Sequence, residues 1–197
     1  MQNLLVATGN SHKTGEIRAM LGAGYEVLDL KSHPHLPEVQ ETGTTFLENA
    51  TLKAVQISRQ VPGLVLSDDS GLEVDALDGA PGVYSSRYAG EDGNDASNNT
   101  KLIKELAGEV DRTARFRCVM VLAKSGKVLA HFEGAVQGRM IHENQGEGGF
   151  GYDPLFVPDG HDETFAQLGE TVKNGLSHRA RAMGKVVMWL ADSGSQS

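Results

Sequence analysis

The chain has 197 residues, enough for one domain with a substantial core and few for two independent ones. Its composition, 39% hydrophobic and 22% charged, is that of an ordinary soluble globular protein. The formal charge of −8 argues against nucleic acid or an anionic membrane surface as the main partner. Cys118 is the only cysteine, which excludes an internal disulfide; lying inside an apolar run, it reads as a buried structural thiol. The first residues carry no secretory signal and no stretch approaches the roughly 20 apolar residues that span a bilayer, so a reducing cytoplasm is the expected compartment.

Leu4-Leu5-Val6-Ala7 reads as a buried first strand. It runs into a polar glycine loop, residues 8–13, and then a helix marked by Ile17, Met20 and Leu21 that ends near Gly22 and Gly24. Strand, glycine loop and helix together offer backbone N–H groups and a helix N-terminus to a phosphate. Residues 25–30 read as a second strand. His33 and His35 follow in a proline-containing loop with no third ligand nearby, and read as solvated. Thr45 and Glu48 have capping-box spacing and predict a helix start. Phe46, Leu47, Ala50, Ala54, Ile57 and Val61 share one arc of that helix, with Asn49, Lys53 and Gln56 opposite; periodicity alone makes the second arc a solvated face.

Leu64-Val65-Leu66 is a short buried strand running out at Ser67-Asp68-Asp69-Ser70-Gly71. Alone, that segment reads as a polar turn; two carboxylates flanked by hydroxyls also suit a hard cation such as Mg²⁺. Residues 78–93 form a glycine-rich excursion, either a mobile loop or a surface connection. Residues 98–106 are a short helix. Residues 115–123 and 128–140 are strands joined by a hairpin turn at Ser125-Gly126, the second bent or bulged at Gly134 and Gly138.

The loop 146–153 contains G-x-G-x-x-G but leads into a strand, residues 154–157, rather than a helix, which excludes the dinucleotide fingerprint. Its glycines allow close approach to a ligand or a tight turn. Thr164 and Gln167 repeat the capping-box spacing. The last helix starts at Ser177, with Ala180, Met183, Val187, Leu190 and Ala191 facing inward, and residues 193–197 are expected to fray. His178 and Arg179 in its first turn oppose the helix dipole, which points toward a ligand role. The elements predict an α/β fold with a mixed sheet. Gly9 and Lys13-Thr14 resemble the tail of a P-loop without its second glycine, and no nucleophile elbow exists.

Six segments occur in order: Thr8-Gly9-Asn10-x-x-Lys13, Glu41-Thr42-Gly43-x-x-Phe46-x-Glu48-Asn49-Ala50-x-x-Lys53-Ala54, Asp68-Asp69-Ser70-Gly71-Leu72, Gly79-Ala80-Pro81-Gly82-Val83-Tyr84-Ser85-x-Arg87-Tyr88, Gly149-Phe150-Gly151-Tyr152-Asp153-Pro154 and Ser177-His178-Arg179. Together they resemble the inosine/xanthosine triphosphate pyrophosphatase family (Ham1-like) over nearly the whole chain. The resemblance implies hydrolysis of ITP, dITP and XTP to the monophosphate and pyrophosphate with Mg²⁺. It implies one domain over residues 1–197, a curved mixed sheet flanked by helices in two lobes with a central cleft, and a homodimer.

By motif match, Thr8, Gly9, Asn10, Ser11, His12 and Lys13 would contact the triphosphate. Asp69 would accept the proton of the attacking water and hold Mg²⁺ with Glu41, and Lys53 would take phosphate charge. Ser70, Phe150, Gly151, Tyr152, Asp153, Lys173, His178 and Arg179 would contact the nucleotide, with Lys173 placed only by its spacing before Ser177-His178-Arg179.

Adjacent strand residues point to opposite sides, so only one of Asp68 and Asp69 would face a metal; the resemblance makes that one Asp69, with Asp68 orienting groups around it. Donors near Ser177, His178 and Arg179 would pair with the 6-carbonyl of hypoxanthine or xanthine and face adenine's amino group donor to donor, a mismatch of about 1–3 kcal/mol. Phe150 or Tyr152 would stack on the base. Rejection of guanine is not explained by these contacts. Two other classes compete: a non-catalytic nucleotide-binding module, which has no need of Glu41, Asp68 and Asp69, and a P-loop-type phosphotransferase.

Overall fold

The computed structural model describes residues 2–21 and 24–194. It is an α/β fold with one mixed six-stranded sheet, as the element pattern predicts. β1 (Gln2–Val6) pairs in parallel with β2 (Tyr25–Asp29) and with β3 (Leu64–Val74). β4 (Thr113–Lys124), β5 (Lys127–Met140) and β6 (Phe156–Pro158) complete the order β2-β1-β3-β4-β5-β6, with β5 and β6 antiparallel. The helices are α1 (Ser11–Leu21), α2 (Phe46–Ser58), α3 (Asp95–Glu105), α4 (Phe165–Leu176) and α5 (His178–Gly194). No helix among the described residues is long and apolar enough to cross a membrane.

The chain divides into two compact units. One comprises residues 1–69, 118–134 and 179–197; the other comprises 70–117 and 135–178. The first has a core of Leu4, Val6, Ile17, Leu66, Met120, Leu122, Met183 and Val186. The second is built on Leu72, Val74, Leu102, Phe116, Tyr152, Phe156 and Phe165. The chain passes between the units four times, after Asp69, Arg117, Gly134 and His178.

Local chemistry sets most element ends as expected. Both capping boxes form: Thr45 with Glu48 opens α2, and Thr164 with Gln167 opens α4. Ser125 (φ 52°) and Gly126 (φ 77°) are both left-handed, which a two-residue turn between twisted strands requires.

Several boundaries differ. The third strand does not stop before the acids: β3 runs unbroken through Asp68, Asp69 and Gly71 to Val74. A central strand tolerates buried polar side chains when they find partners, and these do. α1 starts at Ser11, so residues 11–13 form its first turn, not a loop; its predicted stop at Gly22 lies outside the described residues. α3 starts at Asp95, capped by Asn94. β6 starts only at Phe156, with Pro154 and Leu155 in a turn. Gly169 (φ 79°) interrupts α4.

α5 remains helical to Gly194, past the expected fraying point at Ser193; residues 195–197 lie outside the described residues. Its inner face is Ala182, Met183, Val186 and Leu190, while Val187 is 39% exposed. Arg179 heads that stripe at helical spacing, and its ion pairs rotate the buried face away from the arc that apolar content alone indicates.

Gly138 does not break β5; it admits β6. A Cβ there would lie 2.3 Å from the Val157 carbonyl oxygen and 2.7 Å from the Phe156 ring. Gly138→Ala is therefore expected to destabilise the fold by about 1–3 kcal/mol, by overpacking. Thermal or urea unfolding of the variant measures it.

Candidate active site

The loop after β1 is built to open a helix. Asn10 Oδ1 accepts from the amides of His12 (2.9 Å) and Lys13 (3.3 Å), and Thr8 Oγ1 accepts from the Asn10 amide (3.1 Å). This cap satisfies donors that a helix start leaves open. Gly9, Ser11 and His12 are exposed, and Lys13 extends from the first turn with its Nζ 2.6 Å from Asp68 Oδ1.

Asp68 is the hub of this unit. It is 0% exposed, and its Oδ2 accepts from Arg179 Nε (2.9 Å) and Cys118 Sγ (3.1 Å). Arg179, 1% exposed, also pairs with Glu16. Burial works to raise the Asp68 pKa, but Arg179 and then Lys13 outweigh it and hold the carboxyl well below its ordinary range. The same two carboxylates offset the poor placement of Arg179 at a helix start.

Asp69 faces a different set, as strand alternation requires. Lys53 Nζ bonds Glu41 Oε1 at 2.6 Å and Asp69 Oδ1 at 3.1 Å. Burial tends to lower the Lys53 pKa; Asp69 and then Glu41 reverse this and hold it above its usual value. Asp69 is raised above an ordinary carboxyl. Burial is the main cause, opposed by Lys53 and Lys13 and aided by Glu41. Asp69 Oδ2 is buried with no hydrogen-bond partner among the described residues. So Lys53 and Asn49, on the arc that periodicity makes solvated, both turn into the protein: the Lys53 side chain is 12% exposed and Asn49 is 0% exposed.

Among the described residues, no group of three or more His, Cys, Asp or Glu side chains is arranged to hold a metal. Mg²⁺ does not demand one, since it keeps waters and substrate oxygens and takes one or two carboxylates. Glu41 and Asp69, gathered on one ammonium and with Asp69 Oδ2 unsatisfied, fit that role.

The other unit carries its own polar cluster. Lys173 Nζ is 2.6 Å from Asp153 Oδ2 and 4.3 Å from the Phe150 ring centroid, and Asp153 Oδ2 also accepts the Phe150 amide at 2.9 Å. Gly149 (φ 75°) is obligatory, because a Cβ there would lie 2.1 Å from Asp153 Oδ2. Gly146 and Gly148 instead pack against the Ala166 backbone, so their openness serves the chain's own packing. Tyr152, 3% exposed, donates its hydroxyl to the Ser85 carbonyl at 2.8 Å, whereas Phe150 is only partly buried. His178 stacks on Phe116 with centroids 4.9 Å apart. Ser70, next to Asp69 in β3, is partly buried.

Residues not singled out from sequence complete both clusters. Glu16 lies three positions after Lys13 on α1, a spacing that puts both on one face. Asp95 and Asn99, one turn apart on α3, hold Gly151 by both backbone groups: Asp95 Oδ2 accepts its amide (2.7 Å) and Asn99 Nδ2 donates to its carbonyl (3.0 Å). Only that i, i+4 polar pair was visible beforehand, without its target.

Removing Asp68's charge takes away one of the carboxylates that pair with the buried Arg179. Asp68→Asn is expected to cost about 3–5 kcal/mol of stability, the usual loss on breaking a buried ion pair from one side. Chemical unfolding checks this, and a loss under 1 kcal/mol would contradict the hub role.

The Ham1 family profile matches residues 4–189. The chain is 47% identical over 189 residues to the dITP/XTP pyrophosphatase of Bacillus licheniformis, covering 94% of this chain and 96% of that protein. It is 50% identical over 187 residues to the dITP/XTP pyrophosphatase of Exiguobacterium sibiricum, covering 93% and 94%. The solved structure of the Staphylococcus aureus Ham1 protein superposes with a TM-score of 0.88 at 37% identity, covering 98% of this chain and 100% of that one. With this match along nearly its full length, the chain belongs to the Ham1 family.

Proposed function

We propose that this chain hydrolyses ITP, dITP and XTP at the α–β phosphoanhydride, yielding nucleoside monophosphate and pyrophosphate, and so removes deaminated purines from the nucleotide pool. Its relatives' names support the substrate class. The observation that carries the chemistry is the Lys53 ammonium bonded to both Glu41 and Asp69, beside an Asp69 oxygen with no hydrogen-bond partner among the described residues.

Asp69 Oδ2 accepts a proton from the attacking water. That oxygen is buried and has no hydrogen-bond partner among the described residues to compete for its lone pairs. Lys53 and Lys13 neutralise phosphate charge, and the first turn of α1, residues 11–13, offers its positive dipole end to the triphosphate. Glu41 and Asp69 would hold Mg²⁺, which would supply Lewis-acid stabilisation of the phosphate oxygens.

The base falls to the second cluster. Phe150 offers a stacking face, while Ser70, Gly151, Tyr152, Asp153, Lys173 and His178 supply shape and polar contacts. Donors at the start of α5 favour a 6-carbonyl over a 6-amino group. Arg179 joins this reading with its guanidinium already committed to Asp68 and Glu16. By the same family resemblance the protein is a cytoplasmic homodimer, and light scattering measures its mass.

Asp69→Asn is expected to lower kcat by roughly 10²–10⁴ with the fold intact; near-normal kcat would remove Asp69 as base. Turnover of ITP with Mg²⁺ in ¹⁸O-water should give labelled IMP and unlabelled pyrophosphate. Orthophosphate with IDP would refute the reaction.

A further inference from the structure

Glu41 lies in the segment 40–43, which has no regular secondary structure, yet its carboxylate sits on Lys53. The first turns of α2 hold that segment. Asn49 Oδ1 accepts the Gly43 amide at 2.8 Å. Glu48 Oε2 accepts the amides of Thr44 (2.7 Å) and Thr45 (3.1 Å). A Cβ on Gly43 would lie 2.6 Å from Glu48 Cβ and 2.7 Å from Asn49 Oδ1, so only glycine permits this approach. Lys53 follows Asn49 by one helical turn. One face of α2 thus grips the segment twice, by its backbone at Gly43 and by its carboxylate at Glu41.

Helix stability does not account for Asn49. Asparagine is a weaker helix former than alanine. Its Nδ2 is buried without a hydrogen-bond partner among the described residues, which costs about 1–3 kcal/mol. What it contributes is the bond to the Glu41 segment.

We infer that Asn49 is a positioning residue: through the Gly43 amide it fixes the Glu41 carboxylate beside Lys53 and Asp69, and thereby sets the affinity of these carboxylates for a divalent cation. The inference rests on the reading of Glu41 and Asp69 given above, and Gly43 is its steric counterpart.

The test uses the full chain as Asn49→Ala, Gly43→Ala, Glu41→Gln and the double variant Asn49→Ala/Glu41→Gln. Mn²⁺ binding is titrated by electron paramagnetic resonance without substrate, amide exchange is followed at residues 43 and 44, and kcat/KM is measured with ITP. Asn49→Ala is expected to weaken Mn²⁺ by about tenfold and to speed exchange at Gly43. Gly43→Ala should weaken Mn²⁺ similarly, and it carries the test if the Asn49 variant fails to fold. The effect of Asn49→Ala on kcat/KM should vanish in the Glu41→Gln background, since the two act as one unit.

An additive double variant would overturn the inference. So would unchanged Mn²⁺ affinity in both Asn49→Ala and Gly43→Ala when Glu41→Gln loses it. If Glu41→Gln itself binds Mn²⁺ normally, the metal reading of Glu41 fails, and with it the affinity claim; the cycle in kcat/KM still decides whether Asn49 acts through Glu41.

Discussion

A full negative charge with no surface in water sits in the middle of a β-strand, and two cations make that possible. Asp68 would be expelled or protonated without Lys13 and Arg179, because desolvation alone penalises its ionised form heavily. With them it stays ionised, and α1 and α5 are tied to β3 by their first turns. The same strand geometry then turns Asp69 to the other side. One residue anchors the scaffold and its neighbour is left with a buried oxygen that has no hydrogen-bond partner among the described residues.

This division of labour explains why two adjacent aspartates are not redundant. Asp68 has both oxygens taken, by Lys13 on one side and by Arg179 and Cys118 on the other. Asp69 has one oxygen on Lys53 and one without a partner among the described residues. Burial pushes both pKa values up, but only Asp68 has enough positive charge against it to end below its ordinary range, while Asp69 ends above.

What could be read from sequence was what short-range physics decides. Thr45 with Glu48 and Thr164 with Gln167 are four-residue patterns with their own hydrogen bonds, and both formed as spaced. The Ser125-Gly126 turn is equally local. Strand alternation was enough to separate Asp68 from Asp69. The failures share another cause. Asp68 reads as a turn from sequence because its partner Arg179 is 111 residues away, and Glu16 carries no local signal because it meets Arg179 across 163 residues. Asn49 was assigned to solvent because a helical wheel cannot know that a loop will fold back over that face. The family motifs name candidate site residues, but how each is held depends on such distant contacts.

The Cys118 thiol offers a practical consequence. Complete burial raises its pKa well above the usual thiol value, and the Asp68 carboxylate to which it donates raises it further. It therefore stays protonated and inaccessible, a poor nucleophile toward maleimides or oxidants in the folded state. A cysteine introduced at an exposed position would be the single reactive thiol of an otherwise unaltered chain. Fluorophores or spin labels can then be attached at one chosen point without first removing a native residue from the interior of β4.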